Sequence, residues 1–258
     1  RDLSCRRVIA AGRGEQAEGE GAMSEGLSPQ DLEKRAVGEA AATHVADGMV
    51  IGLGTGSTVK FFAEALGARI AGGLKVRALP TSEASIDLAQ RYDIPLIDWS
   101  VTTSLDLCVD GADEVSPDLS MIKGGGGALL WEKIVASAAA KRIYIADSSK
   151  LVARLGAFPL PVEVVRFGHQ TTAERLAEHC PDVALRATPD GPFVTDSGHF
   201  IYDCRMGAID DPAALDRALG AIPGVVETGL FVGMVDMLIA VRDGEAATIE
   251  GPDGVWWG

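Results

Sequence analysis

The chain has 258 residues, of which 47% are hydrophobic, and its 37 acidic side chains outnumber 23 basic ones to give a net charge of −14. A chain of this length can form one large or two modest domains with an ample core. The acidic balance argues against broad attraction to nucleic acid, and no apolar run is long enough to span a bilayer, so we expect neither a nucleic-acid nor a membrane partner.

The first 27 residues are rich in Gly, Glu, Arg and Ala and carry no sustained hydrophobic period. We therefore expect residues 1–27 to form a disordered N-terminal extension. There is no apolar stretch of the kind found in a secretory signal. Met23 resembles a start residue, so residues 1–22 are read as an upstream start assignment or a short extension. A transit peptide is the alternative, but three glutamates between residues 15 and 20 count against it.

From Ser28 onward the sequence alternates between helical and strand-like segments. Ser28 is an N-cap serine followed by proline, and the helix that it starts should end near residue 47. Strands are expected at 49–53, 75–79, 94–97, 105–109 and 142–146, and helices at 59–71, 82–91 and 128–140. This alternation predicts an α/β fold with a doubly wound, mostly parallel sheet of the Rossmann-like type.

A glycine-rich loop, GLGTGST from Gly52 to Thr58, joins the first strand to the second helix. Small residues with hydroxyl donors at a helix N-terminus are typical of a phosphate-binding loop, although this signal is weak by itself. Ser57 stands where a dinucleotide fingerprint needs glycine, and no Gly-Lys-Ser/Thr follows. The loop is therefore predicted to bind neither a dinucleotide nor a nucleotide of the Walker type.

The segment of residues 106–132 carries most of the chemistry. The strand at 105–109 is followed by Asp110 and Asp113, and Lys123 precedes four glycines, Gly124–Gly127, at the start of the next helix. Consecutive glycines are retained where backbone must approach another group closely or take a positive φ. The amides at this helix start could face an anion or an oxyanion.

Glu132 lies in the second turn of that helix. Its neighbours three and four residues away are apolar, so no cation on the same helix face compensates its charge. A carboxylate in such surroundings is a candidate for a raised pKa and for proton transfer. The alternative for each residue alone is structural: Asp110 and Asp113 cap a turn, Lys123 is solvated, and Glu132 is an ordinary surface residue.

Three of these motifs follow strands. The glycine loop follows Leu53, the aspartates follow Val109, and Lys150 follows the strand that ends near Ala146. Ligands of open α/β sheets bind beyond the carboxyl ends of the strands. The sequence therefore predicts that the three motifs share one site.

The pattern changes near Phe158. Strands at 162–166, 183–187 and 225–231, helices at 172–179 and 212–222, and a hairpin at 193–195 and 199–205 follow one another. The order β-α-β-β-α-β with one extra strand predicts a smaller α+β domain of the ferredoxin-like type. We therefore expect a Rossmann-like catalytic domain of residues 28–155 plus 232–258, and a ferredoxin-like domain of residues 156–231 that shapes the cleft or a subunit interface.

The cysteines and histidines lack the spacing of metal ligands. Four cysteines are scattered without a CxxC pair, which fits reduced thiols in a cytoplasmic protein. We predict no metal site and no cofactor.

Two runs of the sequence, DGADE at 110–114 and MIKGGGG at 121–127, together with EKI at 132–134, closely resemble ribose-5-phosphate isomerases of the A type. The resemblance extends from about Leu32 to Gly254. It implies interconversion of D-ribose 5-phosphate and D-ribulose 5-phosphate through an enediol(ate), in the non-oxidative pentose phosphate pathway. It also implies a small sugar phosphate as the partner and a homodimer, with a tetramer as the alternative.

The same resemblance assigns Glu132 as the base that moves a proton between neighbouring carbons. It implies that the substrate phosphate is held by Thr55, Gly56, Ser57 and Thr58, with Lys34 reaching over from the first helix. An exposed helical lysine is the alternative for Lys34.

The remaining site residues surround the reacting carbons. Lys123 and the amides of Gly124, Gly125 and Gly126 suit oxyanion stabilisation. Asp110 and Asp113 would divide into a proton carrier and a positioning acceptor, because nearby like charges push pKa values apart. The substrate-binding set is completed by Gly111 and Ala112 between them and by Lys150, which would face the sugar hydroxyls or the aspartates.

Two rival functions are less well supported by the sequence. An amino-sugar phosphate deaminase would need a histidine near the acids, and no histidine lies close to them in sequence. A sugar-phosphate sensor without catalysis would not need Glu132, and no basic DNA-binding helix is visible.

Overall fold

The structure is a computed structural model that describes residues 26–242 and 244–250. Nearly all of the extension predicted as disordered at 1–27 lies outside the described residues, as do residues 251–258 of the predicted catalytic domain. The mixed α/β fold with a mostly parallel central sheet is confirmed.

The helices and strands alternate along most of the described chain. In chain order they are α1 (Pro29–Ala42), β1 (Val50–Leu53), α2 (Ser57–Ala71), β2 (Arg77–Pro80), α3 (Glu83–Arg91), β3 (Leu105–Gly111), β4 (Glu114–Val115), β5 (Met121–Ile122), α4 (Leu129–Ser137), β6 (Ala139–Ala146), β7 (Leu160–Val164), α5 (His169–Leu176), β8 (Asp182–Leu185), β9 (Ala187–Thr188), β10 (Gly191–Pro192), β11 (Phe200–Arg205), α6 (Pro212–Gly220), β12 (Val225–Thr228), β13 (Leu230–Phe231), β14 (Met237–Arg242) and β15 (Glu245–Ile249). A short 3-10 turn, Ser148–Lys150, follows β6.

Within the described residues, the central sheet has the strand order β15-β14-β6-β3-β1-β2. Its strands are parallel except β15, which pairs antiparallel with β14. Ile51, Val109 and Ile143 in the middle of this sheet are fully buried, as expected for parallel strands that are covered on both faces. This arrangement places the carboxyl ends of β1, β3 and β6 side by side at one edge of the sheet.

The predicted strand at 94–97 is reduced to a single bridge between Ala78 and Leu96. Pro95 lacks an N–H group, and Asp93, two residues earlier, has a positive φ of 53°. A longer ladder cannot form there because proline removes a donor and the turn at Asp93 redirects the chain.

The second sheet, from the region predicted as ferredoxin-like, has the strand order β12-β7-β11-β8 and is antiparallel throughout. This order, with α5 and α6 in the connections, is that of a β-α-β-β-α-β unit. The predicted hairpin of strands 193–195 and 199–205 is wrong in its first strand, because residues 193–195 form no strand and only β11 and the turn bond from the Thr195 N–H to the His199 carbonyl are present. The additional strands are β9 and β10, which form a small hairpin just before this turn. The division into two domains at the predicted boundaries stays a prediction.

The predicted strand at 225–231 is broken at Gly229 into β12 and β13. Gly229 donates its N–H to the Pro161 carbonyl (2.7 Å) and accepts from the Lys123 N–H (2.8 Å). A Cβ at position 229 would lie 2.4 Å from the Lys123 carbonyl oxygen, so glycine allows this close approach. The chain therefore passes from the second sheet to a three-stranded β13-β5-β4 sheet, which fixes the backbone of Lys123.

Candidate active site

A cleft of about 490 Å³, part of it open to solvent, lies at the carboxyl ends of β1, β3 and β6. The residues that line it are Thr55, Gly56, Ser57, Thr58, Gly111, Ala112, Asp113, Lys123, Gly124, Gly126, Glu132 and Lys150. The structure therefore brings the three predicted motifs together.

The glycine loop forms one side of the cleft and leads into α2. Gly56 is the N-cap of this helix, and its φ of 112° lies in the region that favours glycine. Its lack of a side chain leaves the first amides of α2 without a side-chain cap. Backbone N–H groups at the start of a 15-residue helix, together with the helix dipole, favour an anion here.

Thr55 is held by hydroxyl groups that sequence reasoning missed. Its hydroxyl lies 2.8 Å from the Thr81 hydroxyl and 2.7 Å from that of Ser82, and both partners are buried. Ser82 is also the N-cap of α3 in a capping box with Ser85. The signal was present as Ser82 before a predicted helix at the end of a strand, but only the parallel pairing of β1 and β2 places it beside Thr55.

The opposite side of the cleft contains three buried charged groups. The Lys123 ammonium lies 3.2 Å from Asp110 Oδ2 and 3.4 Å from Glu132 Oε1, and it donates to the Gly111 carbonyl at 2.5 Å. Asp110, Lys123 and Glu132 are only 1%, 2% and 5% exposed. One ammonium thus compensates two carboxyl groups that are both removed from water.

Burial, aided by the nearby Asp110 and Asp113, raises the pKa of Glu132 from an ordinary 4.5 to about 8 against the opposing effect of Lys123. Glu132 Oε2 accepts no hydrogen bond from the described residues. Sequence neighbours correctly indicated an apolar helix face. The compensating Lys123 directly follows β5, and its contact with Glu132 could not be revealed by helical spacing.

The two aspartates occupy different environments. Asp113 lines the cleft and its Oδ2 accepts the Gly125 N–H at 2.7 Å. Asp110 lies behind the cleft wall, where Oδ1 accepts the N–H groups of Thr55 (3.0 Å) and Gly111 (2.7 Å). Asp110 therefore joins the glycine loop to the lysine side of the site.

Three of the predicted binding residues do not line the cleft: Lys34, Asp110 and Gly125. The amide of Gly125 is occupied by Asp113, and the Asp110 carboxyl is enclosed by its backbone partners. Lys34 is only 8% exposed, and its ammonium lies 3.9 Å from Asp31. It is therefore not the exposed helical lysine of the alternative interpretation.

The first turns of α1 pack against the loop that carries Lys150. Gln30 donates to Asp147 Oδ1 at 3.2 Å, and Glu33 accepts from the Ser148 N–H at 2.8 Å. These contacts hold Lys150 at the rim of the cleft, which it lines as predicted.

Within residues 26–242 and 244–250 no group of three or more His, Cys, Asp or Glu side chains is arranged to hold a metal ion. No helix in the same part of the chain combines the length and the apolar character needed to cross a membrane.

The site combines an anion-binding helix start with a buried carboxyl group of raised pKa, a lysine and backbone amides. Together with the parallel sheet, these features fit an acid–base enzyme that acts on a small anionic molecule. Residues 77–244 match the family described as ribose 5-phosphate isomerase A (phosphoriboisomerase A), and the chain belongs to this family. It is accordingly an aldose–ketose isomerase of pentose phosphate metabolism, as the resemblance implied.

Relatives and solved structures are similar over most of the chain. The ribose-5-phosphate isomerase A of Rhodopseudomonas palustris (strain BisB18) is 50% identical over 236 residues, which cover 89% of this chain and 97% of the relative. The Methanocaldococcus jannaschii ribose 5-phosphate isomerase A structure has a TM-score of 0.81 at 40% identity, covering 86% of this chain and all of that one. A D-ribose-5-phosphate isomerase solved in complex with phospho-erythronic acid has a TM-score of 0.83 at 36% identity, covering 87% of this chain and 100% of its own.

Proposed function

We propose that Glu132 is the base that interconverts D-ribose 5-phosphate and D-ribulose 5-phosphate by moving a proton between C1 and C2 through an enediol(ate). The observation that carries this assignment is a buried carboxyl group that lines the cleft, with Oε2 unbonded and the pKa raised to about 8. Such a group is strong enough as a base to take a proton from carbon and, once protonated, can return it to the next carbon.

Lys123 and the amides of Gly124 and Gly126 stabilise the oxyanion of the intermediate in this proposal. Lys123 is fixed by Asp110, Glu132 and the Gly111 carbonyl, so its charge is already oriented before the reaction begins. Preorganised donors of this kind are usually the largest single contribution to such catalysis. The lysine and amides supply the electrophile, and we propose a reaction without a metal or another cofactor.

The different environments of the aspartates support different roles. Asp113 lines the cleft and would carry protons during ring opening and between O1 and O2. Asp110 lies behind the cleft wall and would position Lys123 and the backbone of Thr55. Lys150 at the rim would bind the sugar hydroxyls.

We infer that the substrate phosphate binds at the start of α2, to Thr55, Gly56, Ser57 and Thr58. The buried Lys34 on the neighbouring helix α1 would contribute positive charge to this region. A relative solved with phospho-erythronic acid supports a phosphorylated sugar acid as an analogue that competes for this site.

Replacing Ser57 or Lys34 by Ala should raise KM for ribose 5-phosphate while kcat changes little, because Ser57 would bind the phosphate and Lys34 would add positive charge near it, whereas neither is placed at the reacting carbons. Steady-state kinetics on both variants checks this. Lys60→Ala, an exposed lysine one turn further along α2, is the control. An unchanged KM in both variants would show that the phosphate binds elsewhere.

The pH dependence of kcat/KM should follow the ionisation of Glu132. The base must be deprotonated to accept the proton, so kcat/KM should rise with pH through a pKa of about 8 and level off above it. Initial rates between pH 6 and 10 test this expectation. A profile that is flat from pH 7 to 9 would contradict the assignment of Glu132, whereas Ser57→Ala should leave the position of the rise unchanged.

Incubation of the protein with ribose 5-phosphate in the presence of EDTA, with ketose formation followed over time, tests the whole proposal. Ketose formation is expected. A deaminase would instead release ammonia from an amino-sugar phosphate, and a sensor would bind the sugar phosphate without turnover.

We further propose a cytoplasmic homodimer, with a tetramer as the larger alternative. Cys108, Cys180 and Cys204 are free thiols, which supports a reducing compartment. Trp99 and Ile134 are 41% and 45% exposed beside one apolar groove, which supports an interface between subunits. Light scattering coupled to size exclusion measures the assembly directly.

A further inference from the structure

Arg186 connects the second sheet to the glycines of the active site. It follows β8, and its side chain is only 15% exposed. One guanidinium nitrogen, Nη1, donates to the carbonyls of Gly124 (2.8 Å) and Gly125 (3.3 Å). The other side of the fork, Nε and Nη2, binds both oxygens of Asp203 on β11. A planar guanidinium that is hydrogen-bonded on two sides in this way connects β11 rigidly to the glycine run.

These two carbonyls determine where the neighbouring amides point. In a trans peptide the C=O of one residue and the N–H of the next lie on opposite sides of the chain. The Gly124 carbonyl faces Arg186, and the Gly125 N–H accordingly points the other way and donates to Asp113 Oδ2 at 2.7 Å. The Gly125 carbonyl also faces Arg186, so the Gly126 N–H points away from it, on the side where Gly126 lines the cleft.

We propose that Arg186, held by Asp203, is a positioning residue that aims the Gly126 amide at the oxyanion and the Gly125 amide at Asp113. Glycine has no side chain to restrict its peptide planes. Within the run one turn bond, from the Gly127 N–H to the Gly124 carbonyl (2.9 Å), restricts the backbone, and Arg186 adds a second restraint that acts on the peptides after Gly124 and Gly125. The guanidinium also polarises both peptides, which strengthens their N–H groups as donors. This inference rests on the proposed role of the glycine amides in oxyanion stabilisation.

Phe193 fixes Arg186 from the other side. The guanidinium carbon lies 5.8 Å from the centre of the Phe193 ring, and the Phe193 N–H donates to the Arg186 carbonyl at 2.9 Å. The same ring occupies the space beside Gly127, where an added Cβ would lie 2.4 Å from it. The glycine run is thus held at its beginning by Arg186 and at its end by Phe193.

The position of Arg186 predicts a specific kinetic signature. The phosphate loop at 55–58 is supported by Asp110, Thr81 and Ser82, none of which contacts Arg186. Loss of Arg186 should therefore disturb the transition state and leave phosphate binding intact. A misplacement of about 1 Å in a catalytic group can cost about 10²-fold in rate.

The experiment compares Arg186→Met with Arg205→Met in the full chain. Arg205 lies in the same sheet and pairs with Asp182, but it is far more exposed, so it is a matched control. In Arg186→Met we expect kcat to fall by about 10- to 100-fold, with KM and the inhibition constant of inorganic phosphate within about threefold of the wild type. In ¹⁵N-glycine-labelled protein the Gly125 and Gly126 amide signals should shift. Arg205→Met should change none of these.

An unchanged kcat, or amide signals that stay in place, would overturn the inference. So would a parallel loss of phosphate binding, which would indicate general damage to the structure. If Arg186→Met does not fold, the decisive variant is Asp203→Asn, which weakens the two hydrogen bonds between Arg186 and residue 203 but retains the arginine. This variant should also lower kcat. A wild-type chain without isomerase activity would contradict the proposed function, whereas an active wild type with an unaffected Arg186→Met contradicts this inference alone.

Discussion

Replacing Glu132 by Gln is expected to lower kcat by at least about 10²–10⁴-fold while KM for ribose 5-phosphate changes little. The amide has nearly the shape of the carboxyl group and can still accept a hydrogen bond from Lys123, but it cannot take a proton from carbon. Steady-state kinetics at pH 8 to 9, where the wild-type base is ionised, gives the largest difference. Near-normal turnover would remove Glu132 from this role.

The same variant should be more stable than the wild type at high pH. The pKa of Glu132 is raised in the folded state, so the folded chain retains a proton between pH 4.5 and about 8 that the unfolded chain releases. The stabilisation present below pH 4.5 is therefore lost as pH rises to about 8. At pH 9 the Gln variant should gain up to a few kcal/mol, on the order of 1.4 per pKa unit, in thermal or urea unfolding. Glu174→Gln, at an exposed position on α5, is the control and should change neither kcat nor the stability at pH 9.

Replacing Lys123 by Met should have the second large effect, on both stability and activity. The change removes the single ammonium between Asp110 and Glu132 and leaves two buried carboxyl groups without compensation. Breaking a buried ion pair in this way typically costs about 3–5 kcal/mol. Loss of an oxyanion donor should lower kcat by about 10²–10³-fold in the molecules that remain folded.

The pH dependence of the stability lost in Lys123→Met shows whether the loss comes from uncompensated carboxylate charge or from poorer packing of the methionine side chain. Burial already raises the pKa of Asp110 and of Glu132, and without Lys123 both pKa values rise further. Both carboxyl groups then take up protons more readily as the pH falls, so the loss of stability should be smaller at pH 5 than at pH 8. Urea unfolding at pH 5 and pH 8 provides the comparison. Lys141→Met, which removes an exposed lysine paired with Glu250, is the control and should lose little at either pH. An equal loss at both pH values would contradict the electrostatic explanation.

The sequence predicted the components of the site better than their contacts. Strand ends placed the glycine loop, the aspartates and Lys150 at one edge of the sheet, because parallel topology follows from alternating strands and helices. Whether Asp110 or Asp113 faces the cleft depends on how the chain turns after β3, and on the Thr55 amide that approaches from β1. Such contacts between distant segments are not encoded in local periodicity.

The fold shows the same division between local and distant effects. The helix predicted at 128–140 ends at Ser137, because the chain enters β6 at Ala139 to pair with β3. The strand predicted at 225–231 is divided by Gly229, whose two backbone partners come from β7 and the Lys123 region. The strand propensity of residues 225–231 is the same whether they form one continuous strand or two short ones, so only their tertiary pairing decides between these outcomes.

The anion-binding start of α2 and the carboxyl group of Glu132 belong to different elements that pack against one rigid sheet. The distance between them is therefore fixed mainly by how these elements pack on the sheet. A sugar phosphate with fewer carbons, held by its terminal phosphate, would leave its carbonyl short of the base, and a longer one would carry it past. On the proposed assignment of the phosphate site and the base, the enzyme would therefore discriminate between sugar phosphates by the length of the carbon chain as well as by charge.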